Sequence, residues 1–262
     1  MTLLFALVLV LLGVVGAFVA GLLGVGGAIV MIPLLLYVPS LLGVGVLDAK
    51  AVSGVTMAQV FVAAVSGMIA HRRRRVVNTE LARTGGLAMA AGSLVGSLAS
   101  KHASAEALLI VFALVATGAA ALMLVPVDLM DRPLVTEQHV RPKRLRVVLV
   151  TTGVGLVAGF IGAGGAFLLV PLLLVVVGIP IRVTIGSSLA ITSLAAVAGV
   201  VGKLATGQIP YAAAAAVALG AVPGAQFGAA VAARLPGERL RLLLLAVIVI
   251  SAARLWWDVL SR

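Results

Sequence analysis

The chain has 262 residues, of which 63 % are apolar and only 10 % charged, with a mean hydropathy of +1.27. A single soluble core cannot hide that much apolar surface, so a soluble enzyme, a disulfide-knit secreted domain and a disordered tail are excluded. The net charge of +11 comes without any polar domain that would bind nucleic acid, and cysteine is absent; the reading is an all-α polytopic membrane protein whose basic residues mark one side of the bilayer.

The elements follow in chain order. Leu3–Leu23 is an apolar helix, followed by the glycine turn Gly24-Val25-Gly26-Gly27. No Lys or Arg precedes its apolar run and the stretch recurs later, so we read it as part of the fold and not as a cleaved leader. Ala28–Val38 comes next, only about 16 Å long and about half the hydrocarbon thickness. It is a half-helix or one arm of a re-entrant hairpin, with Pro33 expected to bend or end it. Helices over Ala51–Ala70, Thr84–Ser100 and Glu106–Val125 complete residues 1–127. Residues 128–146 form a polar, basic linker holding Asp128, Asp131, Glu137, Arg141, Lys143, Arg144 and Arg146. Residues 147–262 then repeat the plan: Val147–Ile161, the turn Gly162-Ala163-Gly164-Gly165, Ala166–Val177 with Pro171, Thr184–Leu204, Tyr211–Arg234 and Arg239–Leu260.

The recurrence is a duplication. Val19–Ala28 with Pro33 matches Val157–Ala166 with Pro171 at one constant spacing, and Gly92, Gly96 and Glu106 match Gly224, Gly228 and Glu238 at another. We align Ser53–Thr56 with Gly186–Leu189. Equivalent loops have opposite basicity. The loop after Ala70 carries Arg72, Arg73, Arg74, Arg75 and Arg83 against Lys203 in its counterpart, while the loop near Ser100 carries Lys101 against Arg234, Arg239 and Arg241. Parallel halves would put equivalent loops on one side, where similar charge is expected, whereas inverted halves put them on opposite sides, as the positive-inside rule then requires; the total of Lys and Arg per side separates the two little. The expected fold is therefore two homologous halves, read as inverted repeats, with about eight to ten membrane elements and glycine-broken short helices.

Every one of the 8 acids falls in a loop or at a helix end, which disfavours cation sites and proton relays inside the membrane. The polar groups within the apolar stretches are neutral: Ser53, Thr56, Gln59 and Ser66, then Ser187, Ser188, Thr192, Ser193 and Gln226. Hydroxyls and amides donate to an anion without carrying charge, and the first N–H groups after a glycine turn do the same. The candidate substrate site is therefore Gly24, Gly26, Gly27, Thr56, Gln59, Gly162, Gly164, Gly165, Ser187, Ser188 and Gln226. The bland alternative is that the hydroxyls satisfy helix carbonyls and the glycines serve close helix packing. His71, His102 and His139 read as solvated loop residues. No catalytic motif, metal cluster or cofactor site is visible.

The paired glycine turns followed by Pro33 and Pro171 resemble the TauE/SafE sulfite-exporter family of bacterial membrane transporters, as do Thr184–Leu189 and Gly220–Arg234. The resemblance implies a multi-pass carrier in the bacterial inner membrane for a small sulfur-containing anion such as sulfite, thiosulfate or an organosulfonate. Lys203-Leu204-Ala205 and Pro210 stand where the resemblance leads us to expect a His-bearing loop and an acid, and Asn78 stands where it leads us to expect another acid. The leading function is secondary transport of a small anion by alternating access around a midplane site. The alternatives are a passive channel for anions or small solutes and a non-transporting membrane accessory protein. Expected partners are the anionic substrate and the lipid bilayer, and the small-residue face from Gly92 to Gly96 suits a homodimer contact.

Overall fold

The computed structural model of the chain describes residues 2–72, 77–125 and 144–260. Ten α-helices make up almost all of this, with no strand among the described residues: α1 Leu3–Leu23, α2 Ala28–Leu41, α3 Ala49–Arg72, α4 Thr79–Ala99, α5 Ala105–Leu124, α6 Arg144–Ile161, α7 Ala166–Leu172, α8 Ile181–Ala205, α9 Tyr211–Ala232 and α10 Gly237–Leu260. Seven are long and apolar enough to cross a membrane, namely α1, α3, α5, α6, α8, α9 and α10. The all-α polytopic membrane class holds.

Local chemistry explains the boundaries. Thr2, Asp48, Asn78 and Ser104 cap α1, α3, α4 and α5 by accepting from Phe5, Ala51, Leu81 and Ala107 N–H groups. The Asn78 cap is why α4 starts at Thr79 and not at Thr84. Pro33 does not end α2, which runs through it to Leu41. After Pro171, in contrast, the helix loosens into a π-helical stretch over Leu173–Val177. Arg144 and Arg146, expected in the linker, lie in the first turn of α6. Residues 128–143 and Arg73–Arg75 fall outside the described residues.

The long helices of the first half, α1, α3, α4 and α5, find their main partners in the second. α1 packs on α9 and α6 on α4; α3 packs on α9 and α8 on α4; α2 meets α10 and α7 meets α5. Exchanging α1–α5 for α6–α10 turns each of these pairings into its counterpart. The α1–α9 contact is a glycine seam. Cβ atoms on Gly220, Gly224 and Gly228 would collide with the Val10, Val14 and Phe18 carbonyls, so these two helices run parallel with backbones touching. The α4–α6 seam is built alike: Gly92 and Gly96 lie on the Thr152 and Leu156 carbonyls, and Gly159 lies on that of Ser93. The Gly92–Gly96 face is thus covered by α6 of the same chain, which removes it as a homodimer contact.

Two equivalent pairs run antiparallel. Gly54 near the start of α3 touches Gln208 beyond the end of α8, and Gly67 near the end of α3 touches Leu189 near the start of α8. Trp256 Nε1 late in α10 donates to Thr117 Oγ1 of α5 at 2.9 Å, and Arg241 early in α10 donates to the Met123 and Val125 carbonyls at the end of α5. Large apolar side chains such as Leu7, Leu11, Leu219, Phe227 and Ile250 point outward and are exposed. The interior is lined by glycine, alanine, serine and interlocked aliphatic residues, with Phe112 and Phe167 edge-to-face at 5.5 Å. That inside-out distribution is what a bilayer solvent selects.

Candidate functional site

All three glycines of each turn have positive φ: Gly24, Gly26 and Gly27 at 72°, 70° and 78°, and Gly162, Gly164 and Gly165 at 83°, 62° and 68°. L side chains are strained there, so both turns need glycine for conformation alone. They need it for space too. A Cβ on Gly24 would meet the Ile185 backbone, and one on Gly162 would meet Ser53. These equivalent contacts shift the alignment of α3 on α8 by one residue from the sequence alignment and set Thr56 opposite Ser188.

The turns converge on the middle of α3 and α8. A Cβ on Gly26 would lie 3.3 Å from Val60 Cγ1, 3.4 Å from Ala166 Cβ and 3.7 Å from Thr192 Cγ2, and one on Gly164 would also strike Val60. Gly27 faces the Gln59 amide, 3.1 Å from its would-be Cβ to Nε2. The start of α7 therefore abuts the first turn, with Val60 between the two. In each short helix the first backbone bonds back to the turn come from the third and fourth residues, Val30 and Met31 to Gly27 and Leu168 and Leu169 to Gly165. The N–H groups of Ala28, Ile29, Ala166 and Phe167 come ahead of those bonds, as at every helix start.

Around this point lie polar atoms without partners. Thr56 Oγ1, both amide atoms of Gln59 and Thr192 Oγ1 are buried and have no hydrogen-bond partner among the described residues. Each such group costs about 1–3 kcal/mol in a low-dielectric interior. Thr56 and Gln59 are three residues apart on α3 and share a face. Ser93 Oγ on α4 is also buried and unpartnered, close to Met57 of α3 and Gly199 of α8.

Other sequence-selected residues sit differently. Ser188 Oγ donates to the Gly24 carbonyl at 2.8 Å, and Ser187 Oγ accepts from Asn78 N–H at 2.9 Å. Both bonds fix backbone across the halves. Gln226 is exposed on the outer face of α9 beside exposed Phe227, away from the buried α9 face that meets α1. It does not belong with the buried cluster, because the glycine seam turns Gly224, Ala225 and Gly228 inward and leaves Gln226 outside. Thr192, noted among the polar groups of the apolar stretches but outside the candidate site, takes a place at the turns, and its spacing of four from Ser188 puts it on one face of α8.

Two basic residues also depart from expectation. His71 is no solvated loop residue: it lies in the last turn of α3, is buried, and its Nε2 is 2.9 Å from the Gly21 carbonyl of α1. Lys203, expected in a loop, is fully buried in the last turn of α8. His102 is exposed, and His139 falls outside the described residues.

The profile of the TauE/SafE sulfite exporters matches residues 9–255, nearly the whole of the helical framework just described. The chain belongs to the TauE/SafE sulfite exporter family. A probable membrane transporter protein of Xylella fastidiosa (strain 9a5c) is 34 % identical over 183 residues, 68 % of this chain and 65 % of the relative. The chain thus spans just under two thirds of the length of that relative. The probable membrane transporter protein YunE of Bacillus subtilis (strain 168) is 22 % identical over 272 residues, covering 96 % of this chain and 97 % of the relative. No solved structure matches. The family and these relatives are membrane transporters and not enzymes, and a multi-pass arrangement fits the seven apolar helices.

Proposed function

We propose that this TauE/SafE member is a secondary transporter of a small anion, a sulfur oxyanion such as sulfite or thiosulfate or an organosulfonate, in the bacterial inner membrane. The observation that carries this reading is the convergence of the two glycine turns on buried, neutral, unpartnered donors: Thr56, Gln59 and Thr192. Such groups stabilise an anion by hydrogen bonds that cost no reorganisation. Gly24, Gly26, Gly27, Gly162, Gly164 and Gly165 bring backbone close, Ser188 holds the first turn in place, and Ser187 fixes the start of α4. The lack of mid-span carboxylates favours an anion as cargo over a cation.

The two halves, residues 1–127 and 147–262, act as inverted repeats, and access alternates as one half or one bundle of helices rocks against the other. The antiparallel course of α3 against α8 and of α5 against α10 supports inversion, as does the reversed basicity of equivalent loops. Close packing at the turns favours a closed site over an open channel.

The test is uptake of labelled thiosulfate and sulfite into liposomes holding the full chain. Saturable uptake with counterflow from preloaded vesicles is expected. Linear, non-saturating flux without counterflow would replace the carrier by a channel, and no flux of any sulfur anion would end the reading.

A further inference from the structure

At the end of the molecule where α3 begins, a depression of about 440 Å³ opens between α3, α4 and the loop after α8. Its lining includes Lys50, Lys101, Thr206 and Gln208, together with Asp48, whose carboxylate caps α3 through the Ala51 N–H. Directly beneath Gln208 lies Lys203, fully buried. Its Nζ donates to Ser100 Oγ at 2.8 Å, to Gln208 Oε1 at 3.0 Å and, at 3.4 Å, to the Phe160 carbonyl. All three acceptors are neutral. Neutral oxygens compensate the lost hydration of a buried lysine charge only in part, so an anion brought to Nζ favours the charged form and is held by it. Gln208 is a movable cover: its amide bridges Lys203 and Thr206 Oγ1, the latter at 2.9 Å, and is itself half-buried at the depression.

A polar seam continues inward from Lys203. Ser100, Ser97 and Ser93 lie along the buried face of α4 against α8, with Ser97 Oγ on Gly202 and Ser93 Oγ on Gly199. Ser97 and Ser100 donate to carbonyls of their own helix, whereas Ser93 Oγ is unpartnered. Two turns back along α8 from Gly199 stands Thr192, at the glycine turns.

We propose that this depression is an anion-binding vestibule in which an incoming oxyanion displaces the Gln208 carbonyl oxygen from Lys203, with Lys50 and Lys101 drawing it in and the serine seam leading on to the turns. The ligand is a small oxyanion, and its identity as a sulfur oxyanion rests on the transport reading above. The site needs no part of the central cluster, so the two can fail separately.

The experiment uses sulfite as probe. Its binding to the full chain purified in neutral detergent is measured by thermal shift and calorimetry, beside uptake in liposomes. Lys203→Met is expected to weaken sulfite binding about tenfold or more, as removal of a charged hydrogen-bond donor does. The exposed-rim double variant Lys50→Gln/Lys101→Gln is expected to weaken it several-fold at low salt and little at high salt, as screening requires. Gln59→Leu is expected to abolish uptake yet keep this binding. Should Lys203→Met misfold, the rim variant decides: no salt-dependent loss overturns the proposal. Equal sulfite affinity in wild type and folded Lys203→Met, or no sulfite binding in either, overturns it as well. If phosphatidylglycerol competes with sulfite and raises the melting temperature only when Lys203 is intact, the depression is a lipid-headgroup site and the vestibule falls. Uptake that survives in Gln59→Leu but not in Lys203→Met would instead overturn the central site and keep the vestibule.

Discussion

Ser188 and Gly24 are joined across the two halves: the Ser188 hydroxyl, in the second turn of α8, donates to the carbonyl that closes α1 at 2.8 Å. Ser53 of α3 makes an analogous bond, one turn away in the repeat, to the Ile161 carbonyl at the end of α6, at 2.7 Å. Each glycine turn is thus pinned to the opposite half by one buried serine. Removing either hydroxyl strands a buried carbonyl, so Ser188→Ala and Ser53→Ala should each lose about 1–3 kcal/mol. Thermal unfolding in detergent reads this as a drop of several degrees in Tm, and an unchanged Tm in both variants would show that the turns hold without the pins.

Gln59 should behave in the opposite way. Its amide is buried without a partner among the described residues, so an apolar residue of similar shape removes a desolvation cost and no bond. Gln59→Leu should leave Tm unchanged or raise it while abolishing anion uptake, and Thr192→Val should follow it more weakly. A variant that keeps full uptake would place the substrate elsewhere.

Gln226 is the matched control. It is exposed on the outer face of α9, where Leu suits lipid better than an amide does. Gln226→Leu should transport like the wild type with equal or higher Tm. Loss of uptake in a folded Gln226→Leu protein would return this residue to the site.

The helix seams make a sharper stability prediction. A Cβ on Gly96 would collide with the Leu156 carbonyl and one on Gly228 with that of Phe18. Gly96→Val and Gly228→Val should therefore cost about 3 kcal/mol or more, because backbone cannot yield as a side chain can. Gly118 on α5 has no atom within 4 Å of its would-be Cβ, and Gly118→Ala should be neutral or stabilising by up to about 1 kcal/mol through helix propensity. Monodispersity after purification and Tm separate the two classes.

The Arg144–Glu80 pair ties α6 to α4 at 2.8 Å, yet its side chains are 72 % and 49 % exposed. Exposed pairs contribute about 0–1 kcal/mol. Glu80→Gln should shift Tm by no more than a degree or two, and raising salt should erase the difference.

Much of the framework is legible in the chain itself. Spans such as Leu3–Leu23 are long and uniformly apolar, which in a bilayer leaves only a helix. The turns Gly24–Gly27 and Gly162–Gly165 are readable because positive φ is a local demand that glycine alone meets cheaply. Helix starts are less legible where a single capping residue decides them, as Asn78 does for α4.

Which polar groups are spent and which are free is another matter, and only the tertiary structure decided it. Ser188 and Thr192 stand one turn apart on α8, yet one meets the Gly24 carbonyl and the other meets no acceptor among the described residues. Gln226 and Gln59 look alike within apolar stretches, yet α1 turns one outward while the first glycine turn covers the other. Lys203 reads as a loop lysine until α4 brings Ser100 to it. In these helices lipid-facing and core-facing positions are both apolar, so the pattern along one helix does not say which side is inside. The sequence by itself determined the helices and the breaks between them, which are local consequences of hydropathy and backbone freedom. The exchange of partners between the halves determined the buried cluster, because burial and hydrogen-bond satisfaction depend on residues more than a hundred positions apart.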